Sequence, residues 1–111
     1  MSDNYRFAST EDLPWACATT RGVSYKSLRF DPDTGAGAVL IHMCPDTTYP
    51  RHRALAGIDL LVLDGDLLVR DTLVTRGCYA HLPATSEVAP YSADGCVLFA
   101  AFPGRVENVH D

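Results

Sequence analysis

The stretch Leu60–Val69, "LLVLDGDLLV", decides how this chain is read. Two apolar runs flank Asp64-Gly65, a dipeptide that tolerates the positive φ needed at both central positions of a two-residue type I′ turn. The expectation is a tight hairpin in which Ile58–Asp64 pairs with Leu67–Leu73. A lone hairpin does not hold in water, so the remaining chain has to supply further strands.

It does so in both directions. Short apolar runs bounded by Gly, Pro, Asp and Asn recur roughly every ten residues, and no segment after about residue 20 repeats its apolar residues at helical spacing. The further strands expected are Ser24–Phe30, Ala36–Met43, Thr48–Arg53, Cys78–Leu82 and Cys96–Phe102, with a short one around Val88. "DPDTG" at Asp31–Gly35 should close a hairpin, because Pro presets φ and Gly accepts a positive φ. Cys44–Asp46 and Ser92–Gly95 mark further reversals, and Pro83 ends a strand. The fold class that follows is all-β, a single-domain sandwich or barrel.

The segment Ile58–Leu63 is apolar at both parities except for Asp59. Side chains alternate faces along a strand, so both faces of this one require cover. The barrel interior covers one, and a second copy of the chain is expected to cover the other, making a homodimer. Leu13, Pro14 and Trp15 lie on a segment with no regular period, read as an arm packed over the barrel. The division expected is an arm over 1–20, a barrel over 21–105 and a tail over 106–111, in which His110 has no role.

With 111 residues, 47% of them apolar, the chain builds one core and has no room for a second. Its net charge of −5 and nine scattered basic residues give no footprint for a phosphate backbone, so nucleic acid is not an expected partner. No basic start leads into an apolar run, and no apolar stretch approaches the roughly 18 residues of a membrane span. A cytoplasmic location without membrane contact is expected. Cys17, Cys44, Cys78 and Cys96 form no C-x-x-C pair, and Cys44, Cys78 and Cys96 adjoin apolar runs. Buried, reduced thiols are expected there.

The segments "LPW" at Leu13–Trp15, "GVSYKSL" at Gly22–Leu28 and "GCVLF" at Gly95–Phe99 resemble the cupins, and among them the cupin domain of ChrR-type anti-sigma factors. That resemblance implies a jelly-roll β-barrel. In the first cupin motif, glycine, five residues, His-x-His, three or four residues, Glu, six residues and glycine, the frame here runs through Asp46, His52, Ala54, Ile58 and Gly65. In the second, it runs through Gly77, Pro83, Thr85, Val88 and Ser92. The family's four ligand positions thus fall on His52, Ala54, Ile58 and Val88, and only His52 can donate to a metal. Shifting the gap by one residue would bring Asp59 in, but onto the opposite face of its strand. Neither a metal nor another cofactor is expected, and sigma-factor binding is not, since no helical Cys/His-bearing segment precedes the barrel.

Ala, Ile and Val in place of ligands leave an apolar pocket with one polar group, which suits a small organic molecule better than an ion. The expected ligand-binding residues are His52, Ala54, Ile58, Val88 and Tyr79. The alternative is a metal-independent lyase, isomerase or cyclase in which His42, His81 or Tyr79 joins His52 in acid/base work. A weaker one is a dioxygenase-like metal enzyme with relocated ligands. Glu87, Arg51 and Arg53 should face away from the pocket, and no G-x-S-x-G, P-loop, G-x-G-x-x-G or H-E-x-x-H motif supports another chemistry.

Overall fold

A computed structural model describes residues 5–109; His110, given no role above, lies outside them. Apart from a short 3₁₀ turn at Thr10–Asp12, every regular element is a strand: β1 (Ala16–Cys17), β2 (Val23–Phe30), β3 (Gly37–Met43), β4 (Thr47–Thr48), β5 (His52–Ala54), β6 (Ile58–Val69), β7 (Thr72–Thr75), β8 (Tyr79–Leu82), β9 (Ser86–Val88), β10 (Tyr91–Ser92), β11 (Cys96–Phe102) and β12 (Val106–Asn108). The long sheet runs β1-β2-β3-β11-β6-β10-β4, with β7 and β8 also on β6, and a small sheet of β12-β5-β9 faces it. All pairs are antiparallel. The long sheet curls on itself, giving the expected jelly-roll architecture.

The hairpin expected at Asp64-Gly65 does not form. The chain runs straight through as the twelve-residue β6, whose first half pairs with β11 and β8 and whose second half pairs with β7 and β10. Opposite β11 the register steps from Asp64↔Val97 to Val62↔Leu98, so Leu63 is an extra residue. This bulge bends the strand and resets the alternation: Ile58, Leu60 and Val62 are buried before it, Leu67 and Val69 after it. Gly65 serves the bend rather than a turn. Its φ is +84°, and a Cβ there would lie 2.0 Å from the Gly95 carbonyl oxygen.

The reversal occurs instead at Arg70-Asp71, where Arg70 takes φ +55° and Val69 pairs with Thr72. The strand expected over Leu67–Leu73 is therefore the end of β6 and the start of β7. The strand expected over Thr48–Arg53 is likewise broken into β4 and β5. Pro50 has no N–H to offer a ladder, and Tyr49 bonds through its own N–H to the Pro90 carbonyl. The turn at Asp31–Gly35 closes β2 onto β3 as expected, with the Asp33 N–H on the Asp31 carboxylate at 2.9 Å and Gly35 at φ +79°. Of the cysteines read as buried thiols only Cys96 is buried; Cys44 and Cys78 sit at strand-end loops and are exposed.

Residues 10–17 stay close to the sheet. Cys17 pairs with Ser24, the Lys26 ammonium donates to the Thr10 carbonyl at 2.6 Å, and it also stands 4.7 Å from the Trp15 ring centre. Trp15 packs in turn against His42, with ring centres 5.8 Å apart. At the other end, Val106–Asn108 pairs with β5.

Replacing Gly65 with Ala forces a side chain into a positive φ and against a main-chain carbonyl that cannot step aside. A loss of about 2 kcal/mol or more is expected, read as a lower urea midpoint with an unchanged slope.

Candidate functional site

The curl of the long sheet forms a half-open cavity of about 500 Å³. Its walls come from alternate residues of four neighbouring strands: Val23 and Tyr25 of β2, Val39, Ile41 and Met43 of β3, Leu98 and Ala100 of β11, and Ile58 and Leu60 of β6. Cross-strand registers align these residues on one face, since Ile41 lies opposite both Tyr25 and Leu98, and Leu60 opposite Ala100. The far side is closed by Tyr49, His52, Pro90, Val106 and Asn108.

His52 is 7% exposed. Its Nδ1–H donates to the Pro50 carbonyl at 3.1 Å, which fixes the neutral tautomer with the lone pair on Nε2. Burial holds its pKa below the usual histidine value, against a smaller opposing effect of the Pro50 carbonyl. Nε2 has no hydrogen-bond partner among the described residues, and since no fully buried side-chain nitrogen or oxygen there lacks one, Nε2 is reachable from open space. The atom therefore stays open to a molecule in the cavity that His52 lines.

Tyr49 is the residue that sequence reasoning missed. Its ring meets His52 edge-on with centres 5.1 Å apart, it lines the same cavity, and burial raises its phenol above the usual value. In an unbroken strand over Thr48–Arg53 it would face away from His52; the break at Pro50 removes that alternation. Pro50 itself was the signal available in the sequence.

The four positions of the cupin ligand frame are all buried: His52, Ala54, Ile58 and Val88. His52 lies directly opposite Val88, and Ala54 opposite Ser86. His52 and Ile58 line the cavity, while Ala54 and Val88 belong to the core beside it. Among the described residues no three His, Cys, Asp or Glu side chains converge. A divalent ion needs three or four such donors, and one imidazole among Ala, Ile and Val does not fit it.

His42, His81 and Tyr79, the other acid/base candidates, stand on the outer face of the sheet. His42 alternates with the cavity residues Ile41 and Met43 and lies under Trp15. His81 and Tyr79 of β8 converge on Asp59 of β6: the His81 Nδ1–H donates to the carboxylate at 2.8 Å, and the Tyr79 hydroxyl donates to the same oxygen. Both bonds, that of the phenol first, keep the Asp59 carboxyl below its ordinary range. Leu82 is the inward residue of β8, which puts His81 outside. Arg53 pairs with Glu87 across the β5–β9 ladder and lies 3.6 Å from Glu107, on the outside as expected.

A family model described as the ChrR cupin-like domain matches residues 4–104. No curated protein matches the sequence at a significant level. Among solved structures, an acetylacetone dioxygenase from Acinetobacter johnsonii superposes with a TM-score of 0.82 at 12% identity, over 100% of this chain and 80% of the other. The anti-sigma factor complex of SigE with ChrR from Rhodobacter sphaeroides gives 0.73 at 22%, over 85% and 51%. The polyketide cyclase RemF from Streptomyces resistomycificus gives 0.75 at 17%, over 96% and 87%. At these identities the likeness is one of fold.

The neutral burial of His52 has a consequence for stability. Its folded pKa lies below the unfolded value of 6.5, so as pH falls through that value the unfolded chain takes up a proton that the folded chain refuses. Stability is expected to drop by up to about 1.4 kcal/mol per pH unit below that point, until the folded pKa is reached. Urea unfolding at pH 7.5 and 5.5 measures it, and the difference should shrink in His52→Gln.

Proposed function

The chain belongs to the ChrR cupin-like domain family, and from that premise we propose that it is a metal-free cupin that binds a small, largely apolar organic molecule inside its barrel. The observation that carries this reading is the lining itself. A cavity of about 500 Å³ is walled largely by aliphatic side chains, with Ser27, Arg29 and Asn108 among its polar lining, and His52 on that lining has an Nε2 with no hydrogen-bond partner among the described residues. Such a pocket matches the usual make-up of small-molecule sites, apolar walls with a few orienting polar groups. The ligand frame, with Ala54, Ile58 and Val88 where donors would stand, supports an organic occupant over an ion. Fold neighbours named for acetylacetone and for a polyketide, both organic, agree with it.

The test fills the pocket. Ala100 lines the cavity and is 1% exposed, so Ala100→Phe projects a ring into the space a ligand needs. Protein purified without added metal should bind 2-naphthol by fluorescence titration, and Ala100→Phe should weaken that binding at least about tenfold, the effect of losing roughly 1.4 kcal/mol of apolar contact. Elemental analysis of the same sample should give far less than one metal per chain. Stoichiometric zinc, iron, manganese or nickel would overturn the reading.

The barrel is further proposed to work as a homodimer. On the outer face, Leu40, Phe99, Leu61 and Tyr79 lie in one cross-strand row, and Leu63 is 42% exposed beside it. Leu40 is buried within the chain, and the apolar surface left around Leu61, Leu63 and the Tyr79 ring is the part a partner would cover. Light scattering should give about 24 kDa, twice the 12.1 kDa chain mass. Leu63→Asp, at an exposed position, should return the 12.1 kDa species without unfolding it.

A further inference from the structure

We propose that Tyr49 and His52 form a proton-transfer pair acting on an enolisable ketone, so that the cavity catalyses a keto–enol exchange as well as binding. The proposal rests on the reading that the cavity holds a small organic molecule. It goes beyond it because a binder needs only one polar anchor, whereas proton transfer needs two groups in reach of adjacent atoms.

The cavity lining holds two such groups. The two rings lie edge to face, 5.1 Å between centres, on one side of the cavity. The bond from Nδ1 to the Pro50 carbonyl leaves Nε2 as an acceptor, and the Tyr49 hydroxyl makes no hydrogen bond to the described residues. One group is a base and the other a donor, each without an internal partner. A hydrogen bond to a developing oxyanion is stronger beside apolar walls than in bulk water. Burial acts on both in the useful direction: it keeps the imidazole neutral and the phenol protonated near pH 7.

The step balances without a co-reactant. Nε2 takes a proton from the carbon next to the carbonyl, the C–H electron pair becomes the C=C bond, and the carbonyl π pair moves onto oxygen. The Tyr49 hydroxyl donates to that oxygen. The imidazolium formed at Nε2 exchanges its proton with solvent through the open side of the cavity and then returns one to carbon, restoring ketone and enzyme with a solvent hydrogen at that carbon. A fused aromatic ketone such as 2-tetralone offers the acidic C–H, the carbonyl and an apolar body that the cavity walls suit.

The test is exchange of the α-hydrogens of 2-tetralone with solvent deuterium, followed by NMR in the presence of EDTA, with methyl shifts of Ile41, Leu60 and Leu98 reporting occupancy. Wild-type protein should accelerate exchange over buffer. His52→Gln should lower the protein-dependent rate at least about 100-fold and Tyr49→Phe at least about tenfold, both while the methyl shifts persist. His81→Gln, whose side chain lies on the outer face, should keep the wild-type rate. Occupancy without exchange, or exchange that survives in His52→Gln or vanishes with EDTA, would overturn the proton-transfer pair and leave the binding reading standing. Methyl shifts that never move would overturn both.

Discussion

The close approach of Gly65 to the Gly95 carbonyl governs this barrel. A strand that must pass from one part of a curled sheet to another has to bend, and here it bends at a bulge where only a residue without a side chain fits. The extra residue, Leu63, turns the alternation over by one position. Ile58 and Leu60 thereby face the cavity under β11, while Leu67 and Val69 face inward under β7 and β10. Without that change of phase, half of β6 would expose its apolar residues and the sheet would not close over a cavity.

Inside that curled sheet, the chemistry follows from which residues stand at four positions. Ala54, Ile58 and Val88 supply no donor, and His52 is held by its own main chain through Pro50. A buried imidazole fixed in one tautomer is a ready acceptor, and its neutrality is a result of desolvation. The polar clusters of the surface are separate from it. Asp59, Tyr79 and His81 satisfy one another across β6 and β8, and Lys26 pins the N-terminal segment through Thr10 and Trp15. The outer face of the sheet is thus partly covered by the chain's own arm, and its apolar remainder stays open around Leu61 and Leu63.

Most strand positions were legible because the apolar runs are short and their boundaries carry Gly, Pro and Asp. Asp31–Gly35 turned where its residues require, and β8 stopped at Pro83. The failures share one cause: a local signal can be satisfied by more than one long-range arrangement. Asp64-Gly65 suits a hairpin and a glycine bulge equally, because both need a positive φ. The choice was made by β11, whose Gly95 end crosses there. Tyr49 escaped notice for a related reason. Counting alternate residues back from His52 puts it outside, and the count fails once Pro50 interrupts the ladder. His42 and His81 were open to either face by composition, and the inward neighbours Ile41, Met43 and Leu82 settled them outside.

By itself, the sequence determined that the chain is all-β, and its resemblance to the cupins implied that three of the family's four ligand positions hold aliphatic side chains. These are properties of residue type and spacing, which survive without knowing any contact. Only the tertiary structure decided which way β6 runs at Gly65, which aromatic stands beside His52, and which histidines see the cavity. Those depend on register and strand crossing, where a shift of a single residue sends a side chain to the opposite face.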